Sequence, residues 1–147
     1  MKILSAVLLF ALACMSLGQA ENRELRREME RFYDRWDQAI ENGSFMNLVE
    51  PDFYQVNKQG HRVALGGFED QMRAMTRGYN SANTTVMHVR EGYNESIAWI
   101  KTTYSWGNGK TLTQRIAHTL RRTPSGWKVY YSQILPDNET WGPPPSR

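Results

Sequence analysis

The chain has 147 residues, 40% of them hydrophobic and 22% charged, with a formal net charge of +3 at pH 7 and a single cysteine. A length of this order holds one hydrophobic core and not two, and so mild and mixed a charge is no nucleic-acid footprint. Its one thiol, Cys14, falls in the expected leader, so the remaining domain has no disulfide, thiolate nucleophile or cysteine metal ligand.

Lys2, the apolar run Ile3 to Leu17 and the small residues of Gly18-Gln19-Ala20 have the three-part pattern of an export signal, with cleavage expected after Ala20. The expected location is secreted or periplasmic. A membrane anchor is the competing reading, but the run is shorter than the ~20 residues that span a bilayer, and Glu21, Arg23 and Glu24 follow at once. A lipoprotein at Cys14 is a further alternative, against which Ala11 stands where a branched aliphatic residue is usual.

The mature domain is expected over 21–137. Leu25, Met29, Phe32, Trp36 and Ile40 recur at steps of three and four, the stripe of an amphipathic helix, which Asn42-Gly43 ends. Ser44 reads as the cap of a short second helix stopped by Pro51. Asp52 to Asn57 and His61 to Leu65 read as strands around a Lys58-Gln59-Gly60 turn, Gly66-Gly67 as a break, and Phe68 to Tyr79 as a third helix with Phe68, Met72, Met75 and Tyr79 on one face. The pattern then changes to period two, with strands near Thr84–Glu91, Ser96–Trp106, Thr111–Thr123 and Trp127–Leu135. Asn94, Asn108-Gly109 and Pro124-Ser125-Gly126 are the turns between them. The fold class is therefore α+β, with helices on one face of an antiparallel meander. Residues 138–147, with Pro143-Pro144-Pro145, read as an extended, flexible tail.

The segments "WDQAIENGSFMNLVEPDFYQVNKQG", "LGGFEDQM" and "LRRTPSGWKVYYSQ", in this order and spacing, resemble the nuclear transport factor two-like superfamily, and are most similar to its calcium/calmodulin-kinase-association-like, ketosteroid-isomerase-like and SnoaL-like branches. The resemblance covers the whole mature domain. It implies a cone: a strongly curved, mostly antiparallel sheet wrapped around a long first helix, with two shorter helices and a pocket open at one end. Its members include enzymes and proteins that only bind or dimerise, so the fold alone licenses no activity.

An isomerase of this kind needs a base and an oxyanion donor in the pocket. Aligned on the family, Asn57 stands about where the base would be and Trp36 where the donor tyrosine would be, with Tyr33 one turn away. Many relatives end on Gly-Trp-x-Ile-x-His-x-His, and here Tyr131 and Gln133 replace both histidines. Steroid-isomerase chemistry is disfavoured.

If Arg122 pairs with Trp127 across the last turn, Leu120 faces Val129, His118 faces Tyr131 and Ile116 faces Gln133, a row that looks inward because it holds the apolar residues. The next strand adds Ala98, Ile100, Thr102 and Tyr104, whereas a shift by one residue places Trp99 and Lys101 there instead. The ligand pocket expected from these positions consists of Tyr33, Trp36, Tyr54, Ile100, Tyr104, His118, Tyr131 and Gln133. In the plainer alternative His118 is a half-buried histidine bonded to Tyr131 and the aromatics are core.

His61, His88 and His118 lack metal-ligand spacing, so neither a metal nor another cofactor is expected. Asp34 and Asp37 read as solvated and Asp52 as an anchor of the loop before the first strand. Four sequons, at Asn42, Asn83, Asn94 and Asn138, are glycan sites if the source is a eukaryote.

Three functions compete. The first is an exported domain binding a small apolar or amphipathic ligand, with no evident base. The second is an isomerase, dehydratase or cyclase using His118 with Tyr131 or Tyr104, which requires His118 to line an open cavity. In the third, a homodimer pairs through the outer sheet face, where Trp99, Thr103, Arg115, Thr119 and Arg121 are expected.

Overall fold

The computed structural model describes residues 21–77 and 79–136, with backbone alone at 79 and 80. The expected leader with Cys14 and the tail with Asn138 lie outside the described residues.

Helix α1 spans Arg23–Asn42. Asn22 caps it, its Oδ1 accepting from the backbone N–H groups of Glu24 and Leu25 at 3.0 and 3.1 Å, a cap worth about 1 kcal/mol. Gly43 ends it in the left-handed region at φ +78°, where a side chain would be strained. The anticipated apolar stripe is buried throughout, together with Tyr33 and Ala39.

Several local expectations are corrected. Ser44 opens only a 3₁₀ turn, Phe45–Leu48, without a side-chain cap bond, in place of a second helix. Pro51 does not end a helix but lies inside strand β1, Val49–Val56, where the pairing with its neighbour shifts register; a residue without an N–H is tolerated at such an irregularity. Asp52 is accordingly a strand residue, exposed and bridged to Arg121 at 2.9 Å. After the short strand β2, Arg62–Ala64, helix α2 runs over Leu65–Met75, so Gly66 and Gly67 form its first turn and do not break the chain. A Cβ at Gly67 would stand 3.1 Å from Val63 Cγ1, a close approach that favours glycine where the helix meets β2. Tyr79 leaves the expected helix face and starts strand β3.

Strands β3 (Tyr79–Glu91), β4 (Glu95–Trp106), β5 (Thr111–Thr123) and β6 (Gly126–Ile134) form the meander. The six-stranded sheet has the order β2-β1-β6-β5-β4-β3, with β1 parallel to β6 and every other pair antiparallel. Its inner face carries Val86, Ala98, Ile100, Ile116, Leu120 and Val129, which join the α1 stripe and Phe45, Phe53, Phe68 and Met72 in one core.

Two bulges decide which side chains enter that core. Between β3 and β4 the register shifts from Val86–Ile100 to His88–Trp99, which leaves Met87 unpaired and exposed and turns Val89 inward. Between β5 and β6, Leu120 pairs with Val129 as expected, but Thr119 pairs with Tyr131 and His118 with Ser132, so Tyr130 is the extra residue. The expected pairings of His118 with Tyr131 and of Ile116 with Gln133 are therefore wrong by one residue.

Candidate functional site

The interior cluster is built from α1, β4 and β5. Helical spacing sets Tyr33 and Trp36 on the inner face of α1, and the β4 alternation sets Ala98, Ile100, Thr102 and Tyr104 inward, as the preferred register anticipated. His118 enters between them. Its Nδ1 and the Tyr33 hydroxyl share a hydrogen bond of 3.0 Å, its ring stacks on Tyr33 at 5.8 Å between centroids, and it meets Trp36 edge-on at 5.3 Å. The residue is 2% exposed.

Burial decides the ionisation of this pair. Desolvation pushes the His118 imidazole down to about 3 and pushes the Tyr33 phenol well up, so both are neutral at pH 7. An imidazole so hard to protonate is a weak base, and the rings packed on it take the place that a substrate would need. His118 does not line the open groove found among the described residues. Tyr104 is inward but pairs with Leu112, six residues along β4 from the Ala98–His118 pair, or about 20 Å. It is out of reach as a proton donor to anything at His118.

The remaining expected pocket residues lie elsewhere. Tyr131 and Gln133 are turned to the outer face by the Tyr130 bulge, where the Tyr131 hydroxyl donates to Gln133 Oε1 at 3.0 Å. Tyr54 stands beside them, its ring 5.0 Å from that of Tyr131 and covered by the Arg62 guanidinium at 3.9 Å. The eight positions thus split into Tyr33, Trp36, Ile100, Tyr104 and His118 inside, and Tyr54, Tyr131 and Gln133 outside.

Sequence reasoning missed other interior polar groups. Ser132 occupies the inward place assigned to Tyr131 and accepts from Gln55 Nε2 at 3.4 Å, both residues being buried. Asp37, expected to be solvated, is half-buried and accepts at 2.6 Å from both the N–H and the hydroxyl of Thr84, whose hydroxyl also meets Thr102 at 2.9 Å. Its position beside the buried stripe was the available signal. The buried Ser96 hydroxyl has no partner among the described residues. Asn57, aligned with the isomerase base, serves the turn, its Oδ1 accepting from the N–H groups of Gln59 and His61. Among the described residues no group of three His, Cys, Asp or Glu could hold a metal ion, and no helix is long and apolar enough to cross a membrane.

The outer face forms continuous cross-strand rows. One runs His88, Trp99, Ala117, Gln133 and Val56; the next runs Arg90, Ile97, Thr119, Tyr131 and Tyr54. Trp99, Ala117, Thr119 and Tyr131 are only partly exposed; His88 lies 5.4 Å from Trp99 and Tyr54 lies 5.0 Å from Tyr131 between ring centroids.

No family model and no curated protein matches the sequence. Solved structures do match the fold. Aln2 from a Streptomyces species is 19% identical with a TM-score of 0.65, over 82% of this chain and 96% of that one. A candidate Ca/calmodulin-dependent kinase II association domain from Exiguobacterium sibiricum is 13% identical with a TM-score of 0.58, over 82% and 99%. A candidate dehydratase of the NTF2-like family from Streptomyces avermitilis is 16% identical with a TM-score of 0.59, over 77% and 96%. The fold is that of the nuclear transport factor two-like superfamily.

Proposed function

We infer that this chain is an exported, non-catalytic association module in which two copies pair through the outer face of the sheet. One observation carries the reading: the residues that would do chemistry are packed against one another inside, while the outer face with Trp99, Ile97, Ala117 and Tyr131 is covered by neither helix among the described residues. Four strands of 9 to 13 residues make that face. At ~3.3 Å per residue and ~4.8 Å between strands, its area is roughly 700 Å², close to the ~800 Å² per partner of a standard stable interface. In a twofold pair the same rows meet themselves, so Trp99 and Tyr131 supply aromatic anchors from both sides. The likeness to an association domain agrees with this. Residues 1–20 are the export signal in this reading.

Sedimentation velocity tests it. Wild type is expected as a dimer at tens of micromolar and Trp99→Asp as a monomer with an unchanged circular dichroism spectrum. A monomeric wild type, or a Trp99→Asp variant that stays dimeric, sinks the proposal.

One observation favours a second reading, a ligand held on the concave side of the cone. Gln55, Ser96, Thr102, His118 and Ser132 are buried polar residues on the inner face, and the Ser96 hydroxyl has no partner among the described residues. A small apolar or amphipathic molecule with one polar group would suit it. Native mass spectrometry of the exported protein decides: a retained molecule lost in His118→Ala supports it, and an empty wild type removes it.

A further inference from the structure

Helix α1 sits asymmetrically on the sheet. One flank is tied to β3 through Arg26, Asp37 and Glu41. The other carries Glu28, Arg31 and Arg35, at positions i, i+3 and i+7, along an open groove of about 470 Å³ whose far wall is Trp127 at the start of β6, with Asp34 completing the lining. A volume of this order suits a small organic ligand.

The charges in the groove are not equivalent. Glu28 is already engaged: Oε2 accepts from Trp127 Nε1 at 2.8 Å and from Arg122 at 3.1 Å, and the indole bond above all holds its carboxyl below the usual range. Arg122 also lies 4.3 Å over the Trp127 ring, so its charge is partly answered. Arg31 and Arg35 are less engaged: neither makes a hydrogen bond or salt bridge among the described residues, Arg31 acting on Glu28 only through its charge and Arg35 standing 6.0 Å from the Phe32 ring. They stand one helical turn apart, a separation at which two guanidiniums reach the same carboxylate.

We propose that this groove binds a monoanionic aromatic carboxylate, its carboxylate held by Arg31 and Arg35 and its ring laid along Trp127. The two guanidiniums set the anionic end, and the edge of the indole left accessible, Trp127 being 9% exposed with Arg122 over its ring, sets the apolar end. Asp34, in the same lining, disfavours a second negative charge on the ligand. The site is independent of pairing through the sheet, because it lies on the helix side of the molecule.

Titration of ¹⁵N-labelled protein with indole-3-acetate tests it, read at the Trp127 Nε1–H resonance. The expected result is a saturable shift with Kd below about 1 mM and at least a tenfold weakening in Arg31→Ala/Arg35→Ala, both exposed positions. The neutral analogue indole-3-ethanol is expected to bind at least tenfold more weakly to wild type, and inorganic phosphate to give no saturable shift. The proposal is overturned by a shift that fails to saturate at 10 mM, by equal affinity in the double variant, or by equal binding of the alcohol or phosphate. Should the double variant not fold, the comparison of acid with alcohol on wild type decides alone.

Discussion

At the scale of single residues, His118 makes folding depend on pH in a direction that can be worked out. Its imidazole titrates near the ordinary 6.5 in the unfolded chain and at about 3 in the folded one, because burial penalises the cation. Between these values the unfolded chain binds the extra proton, so stability is fully present above pH 6.5 and is lost as pH falls towards 3, by up to ~1.4 kcal/mol per pH unit. His118→Gln is expected to be less stable at pH 8 by about 1–3 kcal/mol, through the loss of the bond to Tyr33 and of ring packing. It is also expected to flatten the pH dependence by close to one proton. Urea midpoints at pH 4.5, 6 and 8 measure both effects, and an unchanged slope in the variant would mean that the ring is accessible to protons. The position was legible as inward from the sequence because Ile116, His118 and Leu120 alternate with Arg115, Ala117, Thr119 and Arg121, three of the four polar. Its partner was not, since whether a histidine meets Tyr131 or Tyr33 depends on one extra residue in the facing strand.

Among the elements, β3 poses the sharper problem. It is a 13-residue strand at the edge of the sheet, the kind of edge that invites pairing with another chain. Side chains at and along α1 stand in for the missing neighbour: Glu41 accepts from the Ala82 N–H at 3.1 Å, Asp37 from Thr84 at 2.6 Å and Glu21 from Val89 at 3.0 Å, while Arg26 donates to the Val86 carbonyl at 2.7 Å. Asp37→Ala/Glu41→Ala is expected to cost about 2–4 kcal/mol and to increase association at constant pH, seen as a concentration-dependent rise in light scattering. Asp37→Asn is different. Burial raises the Asp37 carboxyl above 3.8 against the lowering effect of Thr84, so its charge is a cost in the folded state, and stability from this group rises as pH falls through the folded value towards 3.8. The amide keeps one acceptor for Thr84, so its urea midpoint at pH 7 is expected to match or exceed that of wild type. Strand existence and order were legible from the period-two runs between Asn94, Asn108-Gly109 and Pro124-Ser125-Gly126. The two bulges were not, because alternation continues undisturbed on either side of one. The inward pair Val86 and Val89, three apart where a regular strand needs two or four, was the trace one of them left.

For the whole molecule, the proposed export and the proposed pairing constrain each other through the sequons. Asn42 lies exposed at the end of α1 and Asn94 in the β3–β4 hairpin, but Asn83 stands on the outer face of β3, opposite Thr103, whose hydroxyl meets Thr113 at 3.0 Å across the next strand pair. A glycan there would rise from the surface through which the two copies are proposed to pair, and its bulk would hold them apart. Protein made in a host without N-glycosylation is therefore expected to sediment as a dimer, protein from a glycosylating eukaryotic host as a monomer, and Asn83→Gln from that second host as a dimer again. Mass before and after glycosidase treatment establishes that Asn83 carries the sugar. A dimer that persists with the glycan in place would count against pairing that includes the β3 end of this face, because a glycan rooted at Asn83 on that edge strand stands between the strands that would be apposed there.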